Sequence, residues 1–154
     1  GIEVIWQCGR YYKASVDAFM ENAKASGKGG ACLKGIQHSD FIMRMDLAYA
    51  AADVVISRSG ASSVSELCAA GKAVIFVPSP NVAEDHQTHN AMALVRKEAA
   101  MLVKDSEAGE KLMKEACCLI ESPDRIALLE KNIEKLALRD AAKTIADEVY
   151  RIIG

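Results

Sequence analysis

Ala52-Asp-Val-Val-Ile-Ser-Arg-Ser-Gly-Ala-Ser-Ser-Val-Ser-Glu-Leu-Cys-Ala-Ala-Gly71 decides how this chain reads. Val54 to Ile56 is a β-branched apolar run, which predicts a buried strand. Ser57 to Ala61 is a short Ser/Gly turn, and the helix that follows ends at Gly71. A strand that breaks at small residues straight into a helix leaves backbone N–H groups without acceptors at the helix start. Those groups and the helix dipole together make an anion site. Arg58 adds a fixed positive charge, and Gly60 lets a ligand approach the backbone closely. Glu66, further along the helix, is a carboxylate that can accept hydrogen bonds from sugar hydroxyls. The arrangement suits a nucleoside diphosphate. The same residues also fit a purely structural alternative, because Ser63-Val-Ser-Glu66 has the spacing of a capping box that satisfies its own helix start and binds nothing.

The chain has 154 residues, 51% of them hydrophobic and 26% charged, with a formal net charge of -2. That is enough for one domain with a substantial core, and too apolar for a disordered segment. A sequence pI ≈ 6.0 speaks against a general nucleic-acid surface. The apolar stretch from Met45 to Ile56 is interrupted by Asp46 and Asp53, so no membrane span is expected. No secretory signal precedes Ile2. The cysteines are Cys8, Cys32, Cys68, Cys117 and Cys118; none has Cys-x-x-Cys spacing, and His38, His86 and His89 complete no zinc pattern with them. A cytoplasmic protein with reduced, mostly structural thiols and no metal is the expectation.

Strands and helices alternate on either side of the central stretch. Ile2 to Trp6 reads as a strand and Gln7-Cys-Gly9 as its turn. Tyr11 to Ser26 reads as a helix with Tyr12, Val16, Phe19 and Ala23 along one face, stopped at Gly27 to Gly30. Ala31 to Ile36 reads as a short strand, Asp40-Phe-Ile-Met43 as a turn and Met45 to Ala52 as a short helix. Lys72 to Val77 is a second apolar strand, broken by Pro78 and Pro80. Ser79 to Asp85 reads as loop, His86 to Lys97 as helix and Ala100 to Val103 as a last strand. Helices at Glu107 to Ile120, Pro123 to Leu136 and Asp140 to Ile153 follow, with Ile145, Val149 and Ile152 on one face of the last.

This alternation predicts an α/β fold, a Rossmann-like parallel sheet with helices on both faces, in a single domain over residues 1–154. Ligands of such sheets bind beyond the carboxyl ends of the strands. The turns after Trp6, Ile36, Ile56 and Val77 fall on that edge. They carry Gln7, Phe41-Ile42, Arg58-Ser-Gly60 and Asp85-His-Gln87. No G-x-G-x-x-G is present, which argues against a dinucleotide site. No Asp-x-Asp is present to hold a divalent ion at a diphosphate.

With the motifs placed, the chain resembles the C-terminal half of the MurG family, bacterial UDP-N-acetylglucosamine:undecaprenyl-pyrophosphoryl-MurNAc-pentapeptide N-acetylglucosaminyltransferases. The matching stretches are Val4-Ile-Trp-Gln-Cys-Gly9, Asp40-Phe-Ile-Met-Arg-Met45, Ala52-Asp-Val-Val-Ile-Ser-Arg-Ser-Gly-Ala61, Val64-Ser-Glu-Leu-Cys-Ala-Ala-Gly71, Phe76-Val-Pro78 and Asp85-His-Gln-Thr-His-Asn-Ala91, in the family's order and spacing. The resemblance implies the C-terminal lobe of a GT-B transferase. That lobe binds UDP-N-acetylglucosamine, while lipid I is bound by an N-lobe that this sequence does not contain. By position, Ile42 would meet uracil through its backbone N–H and C=O. Arg58, Ser59, Gly60 and Ala61 would line the diphosphate loop, and Glu66 would take the ribose hydroxyls. Gln87, with His86, would hold the N-acetylglucosamine hydroxyls, and Gln7 would lie near the sugar or the phosphates. The resemblance implies no cofactor and no nucleic-acid partner. It also implies peptidoglycan synthesis on the cytoplasmic face of the inner membrane, reached only through the full-length enzyme.

Two departures accompany this resemblance. The family's C-lobe opens with a strand and a Gly-Gly-Ser type loop that this chain lacks. The general base proposed for the family lies on the absent N-lobe, so no catalytic residue is expected here. A sheet edge without its first strand is also expected to favour self-association. Three alternatives share the pattern: a sugar-nucleotide epimerase lobe, the detached C-lobe subunit of the dolichol-linked chitobiose transferase, and a non-catalytic regulatory domain that binds a nucleotide or a partner. For single residues the structural alternatives are helix capping by His86, Gln87 and Glu66, an ordinary surface cation at Arg58, surface positions for His38 and His89, and packing for Trp6 and Phe76.

Overall fold

Ala73-Val-Ile-Phe76 is buried at every position, and the larger part of the fold is arranged around it. A strand apolar on both sides needs cover on both faces. In a computed structural model, which describes residues 1–26, 33–81 and 85–153, this strand (β4) receives that cover. The elements before it are β1 (Val4–Gln7), α1 (Lys13–Ala25), β2 (Ile36–Ser39), α2 (Met45–Ala51), β3 (Val54–Ser57) and α3 (Ala61–Ala70). After it come α4 (His86–Val95), β5 (Met101–Leu102), a 3-10 turn (Asp105–Glu107), α5 (Ala108–Ile120), α6 (Pro123–Glu134) and α7 (Ala141–Ile153).

The chain forms two compact units, Gly1–Ala48 and Tyr49–Gly154. In the second unit β3, β4 and β5 are parallel, with β4 in the centre. Val74 and Phe76 join Leu67 and Cys68 of α3, Ala91 and Leu94 of α4, and Ile133 of α6 in one cluster. Ala73, Ile75 and Val77 join Ala116 and Leu119 of α5 and Leu129 of α6 in another. Alternate residues of β4 therefore serve opposite faces, and helices lie on both, as the α/β reading expects.

In the first unit β1 and β2 pair in parallel, Val4 opposite Ile36 and Gln7 opposite Ser39. Cys8, Val16 and Met20 form the small core beneath them. Among the described residues β1 pairs with β2 alone, and Ile5 and Trp6 are exposed.

Three details depart from the sequence reading. The strand expected over Ala31 to Ile36 lies instead over Ile36–Ser39. Residues 33–35 form a turn closed by the Ile36 N–H on the Leu33 carbonyl at 3.2 Å, and 31 and 32, with the helix stop at 27–30, lie outside the described residues, as do 82–84 of the expected loop. The packed face of α1 is Val16 and Met20, while Tyr12 and Phe19 are exposed. In α7 every described side chain is exposed, including Ile145, Val149 and Ile152. Among the described residues no helix is long and apolar enough to cross a membrane.

Gly71 ends α3 in the left-handed region, φ 65. Its N–H reaches the Leu67 and Cys68 carbonyls at 3.0 and 3.2 Å. A Cβ there would meet Glu134 only at ordinary contact distance, 3.8 Å, so the constraint is conformational rather than steric. Gly71→Ala is expected to cost about 1–2 kcal/mol, measured by urea unfolding. Unchanged stability would mean that the chain turns there without needing glycine.

Candidate functional site

The helix start that the sequence points to is open. Gly60 caps α3 with φ -62 and ψ 152 and, as a glycine, supplies no side-chain cap bond. The first internal bond runs from the Val64 N–H to the Gly60 carbonyl at 2.9 Å. The N–H groups of Ala61, Ser62 and Ser63 therefore have no acceptor within the helix. Among the described residues a Cβ added at Gly60 would meet nothing within 4 Å. The capping-box alternative does not hold: Ser63 lies inside the helix rather than at its cap. Glu66 Oε2 instead accepts a hydrogen bond from the Tyr49 hydroxyl at 3.4 Å. Burial, and then the neighbouring Glu66 carboxylate, pushes the Tyr49 pKa up.

Behind the turn, Ser59 is fully buried and its polar groups are all engaged by α4. Its N–H donates to Gln87 Oε1 at 3.3 Å, its hydroxyl donates to the Gln87 backbone carbonyl at 2.8 Å, and its own carbonyl accepts from Asn90 Nδ2 at 3.1 Å. Gln87 Oε1 also accepts the Ser79 N–H at 2.9 Å. One side-chain oxygen thus ties the turn after β3 to the segment after β4. Gln87 is not a helix cap: that position is Asp85, at φ 53 and without a side-chain cap bond. His86 is the first residue of α4 and lies at the surface.

Arg58 is not an idle surface cation. Its Nη1 donates to the carbonyls of Val77 at 3.0 Å and Pro78 at 3.2 Å, and pairs with Asp105. Because β3, β4 and β5 are parallel, the turns after all of them share one edge, and Arg58 ties them together there. Among the described residues no group of three or more His, Cys, Asp or Glu side chains could hold a metal ion.

In the first unit, Gln7 and Ile42 are brought together. Gln7 Oε1 accepts the Ile42 N–H at 2.9 Å, which is one of the backbone groups that the resemblance assigns to uracil. His38 is not simply a surface residue, since its Nε2 lies 2.7 Å from Asp17 Oδ1. Hydrogen bonds from Lys13, and then from His38, hold the Asp17 carboxyl below its usual range.

Asp105, Asn90 and Tyr49 were not singled out from the sequence. Asp105 follows β5 on the same edge as the other turns, so edge logic extended by one strand finds it. Asn90 lies three residues after Gln87, on the same helix face. Nothing in the sequence pairs Tyr49 with Glu66.

Residues 1–145 match the glycosyltransferase family 28 C-terminal domain. The chain belongs to this family. Among curated relatives, the UDP-N-acetylglucosamine--N-acetylmuramyl-(pentapeptide) pyrophosphoryl-undecaprenol N-acetylglucosamine transferase of Parabacteroides distasonis is 49% identical over 99% of this chain and 39% of its own length. The transferase of the same name from Bacteroides thetaiotaomicron is 50% identical over 98% of this chain and 39% of its own. The crystal structure of Acinetobacter baumannii MurG superimposes with a TM-score of 0.79 at 26% identity, over 97% of this chain and 41% of that one. This family 28 domain therefore spans about two fifths of the length of the curated relatives it matches.

Gln87→Met would leave the Ser59 and Ser79 N–H groups without their shared acceptor. The expected loss is roughly 1–3 kcal/mol of unfolding free energy, measured in urea. Gln87→Glu keeps an acceptor and is expected to lose less. Equal stability of the parent and Gln87→Met would show that the side chain does not hold the turn.

Proposed function

We propose that this chain is the UDP-N-acetylglucosamine-binding lobe of an inverting N-acetylglucosaminyltransferase, the enzyme that converts lipid I to lipid II in peptidoglycan synthesis. The observation that carries the reading is the start of α3 at Gly60, which has no side-chain cap bond, within a chain that belongs to glycosyltransferase family 28. The names of the relatives support the donor and the reaction.

In this reading the diphosphate lies against the N–H groups of Ala61, Ser62 and Ser63. As the acceptor hydroxyl bonds to the anomeric carbon, the bond from that carbon to the β-phosphate oxygen breaks and UDP leaves. Negative charge gathers on the β-phosphate in the transition state, where fixed N–H dipoles stabilise it most. Arg58 adds positive potential from behind the turn, partly offset by Asp105. Ser59 serves from inside, by holding the turn in shape. Glu66, steadied by Tyr49, takes the ribose hydroxyls. Gln87 has its side-chain oxygen already engaged, so it offers the sugar its NH₂ group, and His86 lies beside it. Recognition of uracil by Ile42 rests on the resemblance alone.

The acceptor, lipid I, and the general base belong to the remainder of the enzyme, which acts as a peripheral protein on the cytoplasmic face of the membrane. The chain alone binds donor without transferring it. The exposed edge of β1 is where copies of the isolated chain would associate.

Glu66→Ala tests the assignment, because Glu66 is given to ribose and not to phosphate. The substitution is expected to weaken UDP by about 1.5–3 kcal/mol and to leave inorganic pyrophosphate unaffected, by calorimetric titration of both. Equal losses for the two ligands would remove Glu66 from the ribose. Absence of UDP binding by the parent chain would contradict the donor-lobe reading itself.

A further inference from the structure

Ser59 is the buried polar residue of the core among the described residues. Both peptide groups that flank it are held from α4. The group before it is held through the Ser59 N–H on Gln87 Oε1, and the group after it through the Ser59 carbonyl on Asn90 Nδ2. That second peptide group also contains the Gly60 N–H. The chain has no cis peptide bond among the described residues, and in a trans peptide C=O and N–H point in opposite directions. Fixing the Ser59 carbonyl toward Asn90 therefore fixes the Gly60 N–H away from α4. Gly60 is the residue that caps the start of α3, and among the described residues a Cβ built on it would meet nothing within 4 Å.

We infer that Asn90 is a positioning residue for phosphate binding, acting through the Ser59 carbonyl to aim the Gly60 N–H alongside those of Ala61, Ser62 and Ser63. The inference rests on the donor-lobe reading for its ligand. Asn90 itself touches no phosphate. Its side chain sets the direction of a peptide dipole, and such a dipole stabilises an anion only when it is already aligned. The same bolt joins α4, whose first turn carries His86 and Gln87, to the phosphate turn. The sugar end and the phosphate end of the site are thereby built as one piece.

Asn90→Asp is the most direct substitution, since it keeps the shape but turns an oxygen toward the Ser59 carbonyl in place of the donor. Affinities for UMP and UDP are measured by calorimetry, and exchange of the Ser59 and Gly60 amides is measured by NMR without ligand. The gain in affinity from UMP to UDP is expected to fall about tenfold, the scale of one lost charge-assisted contact. UMP itself is expected to change much less. In the free protein the Ser59 amide is expected to exchange faster. A general loss of stability would lower both nucleotides together and leave the gain intact, which would overturn the positioning role. If the parent binds neither nucleotide, the donor-lobe reading fails, and the amide exchange then decides the clamp by itself: unchanged exchange in Asn90→Asp overturns it. Should Asn90→Asp not fold, Asn90→Ala removes the donor without adding charge and carries the same measurements.

Discussion

Burying a serine backbone and hydroxyl costs free energy unless every polar group finds a partner, and Ser59 is buried completely. Its partners all come from the first turns of α4. That requirement joins the end of β3 to α4, and through Gln87 to the segment after β4. What remains unsatisfied is on the other side of the turn, at the open start of α3. The site is thus the complement of the clamp: groups held inside make the turn rigid, and groups left outside are available to an anion.

The rigid platform beneath comes from β4. Its alternation between the two apolar clusters places α3 and α4 on one face and α5 on the other. Parallel pairing with β3 and β5 then brings the turns after all of them to one edge. Arg58 reinforces that edge by holding the Val77 and Pro78 carbonyls and Asp105. A charge that reads in the sequence as a phosphate ligand is in the structure a tie between the turns of this edge, paired with Asp105.

The elements legible in the sequence are those whose signals are local. The β-branched runs of β3 and β4, the small residues between β3 and α3, and Gly71 at a positive φ all announce themselves. The second strand did not. Its residues Gln37, His38 and Ser39 are polar, and Leu33 before it belongs to a turn. His38 sits in a strand paired with β1 and contacts Asp17 of α1 across 21 residues. Ser63 and Glu66 misled in the other direction, because their spacing fits a cap that the structure places at Gly60. Within the site, the turn from Arg58 to Ala61 and the position of Gln87 were legible. Their bonding was not, since Asn90, Tyr49 and Asp105 act through tertiary contacts that no spacing rule encodes.

The central claim is that a nucleotide diphosphate is held by the backbone N–H groups at the start of α3. Amide chemical shifts of the isotope-labelled chain, titrated with UDP in the presence of a metal chelator, measure this most directly. The account predicts saturable shifts at Gly60, Ala61, Ser62 and Ser63 that are the same with and without divalent ions. UDP binding that leaves those amides unmoved, or that moves them only after a divalent ion is added, would contradict it.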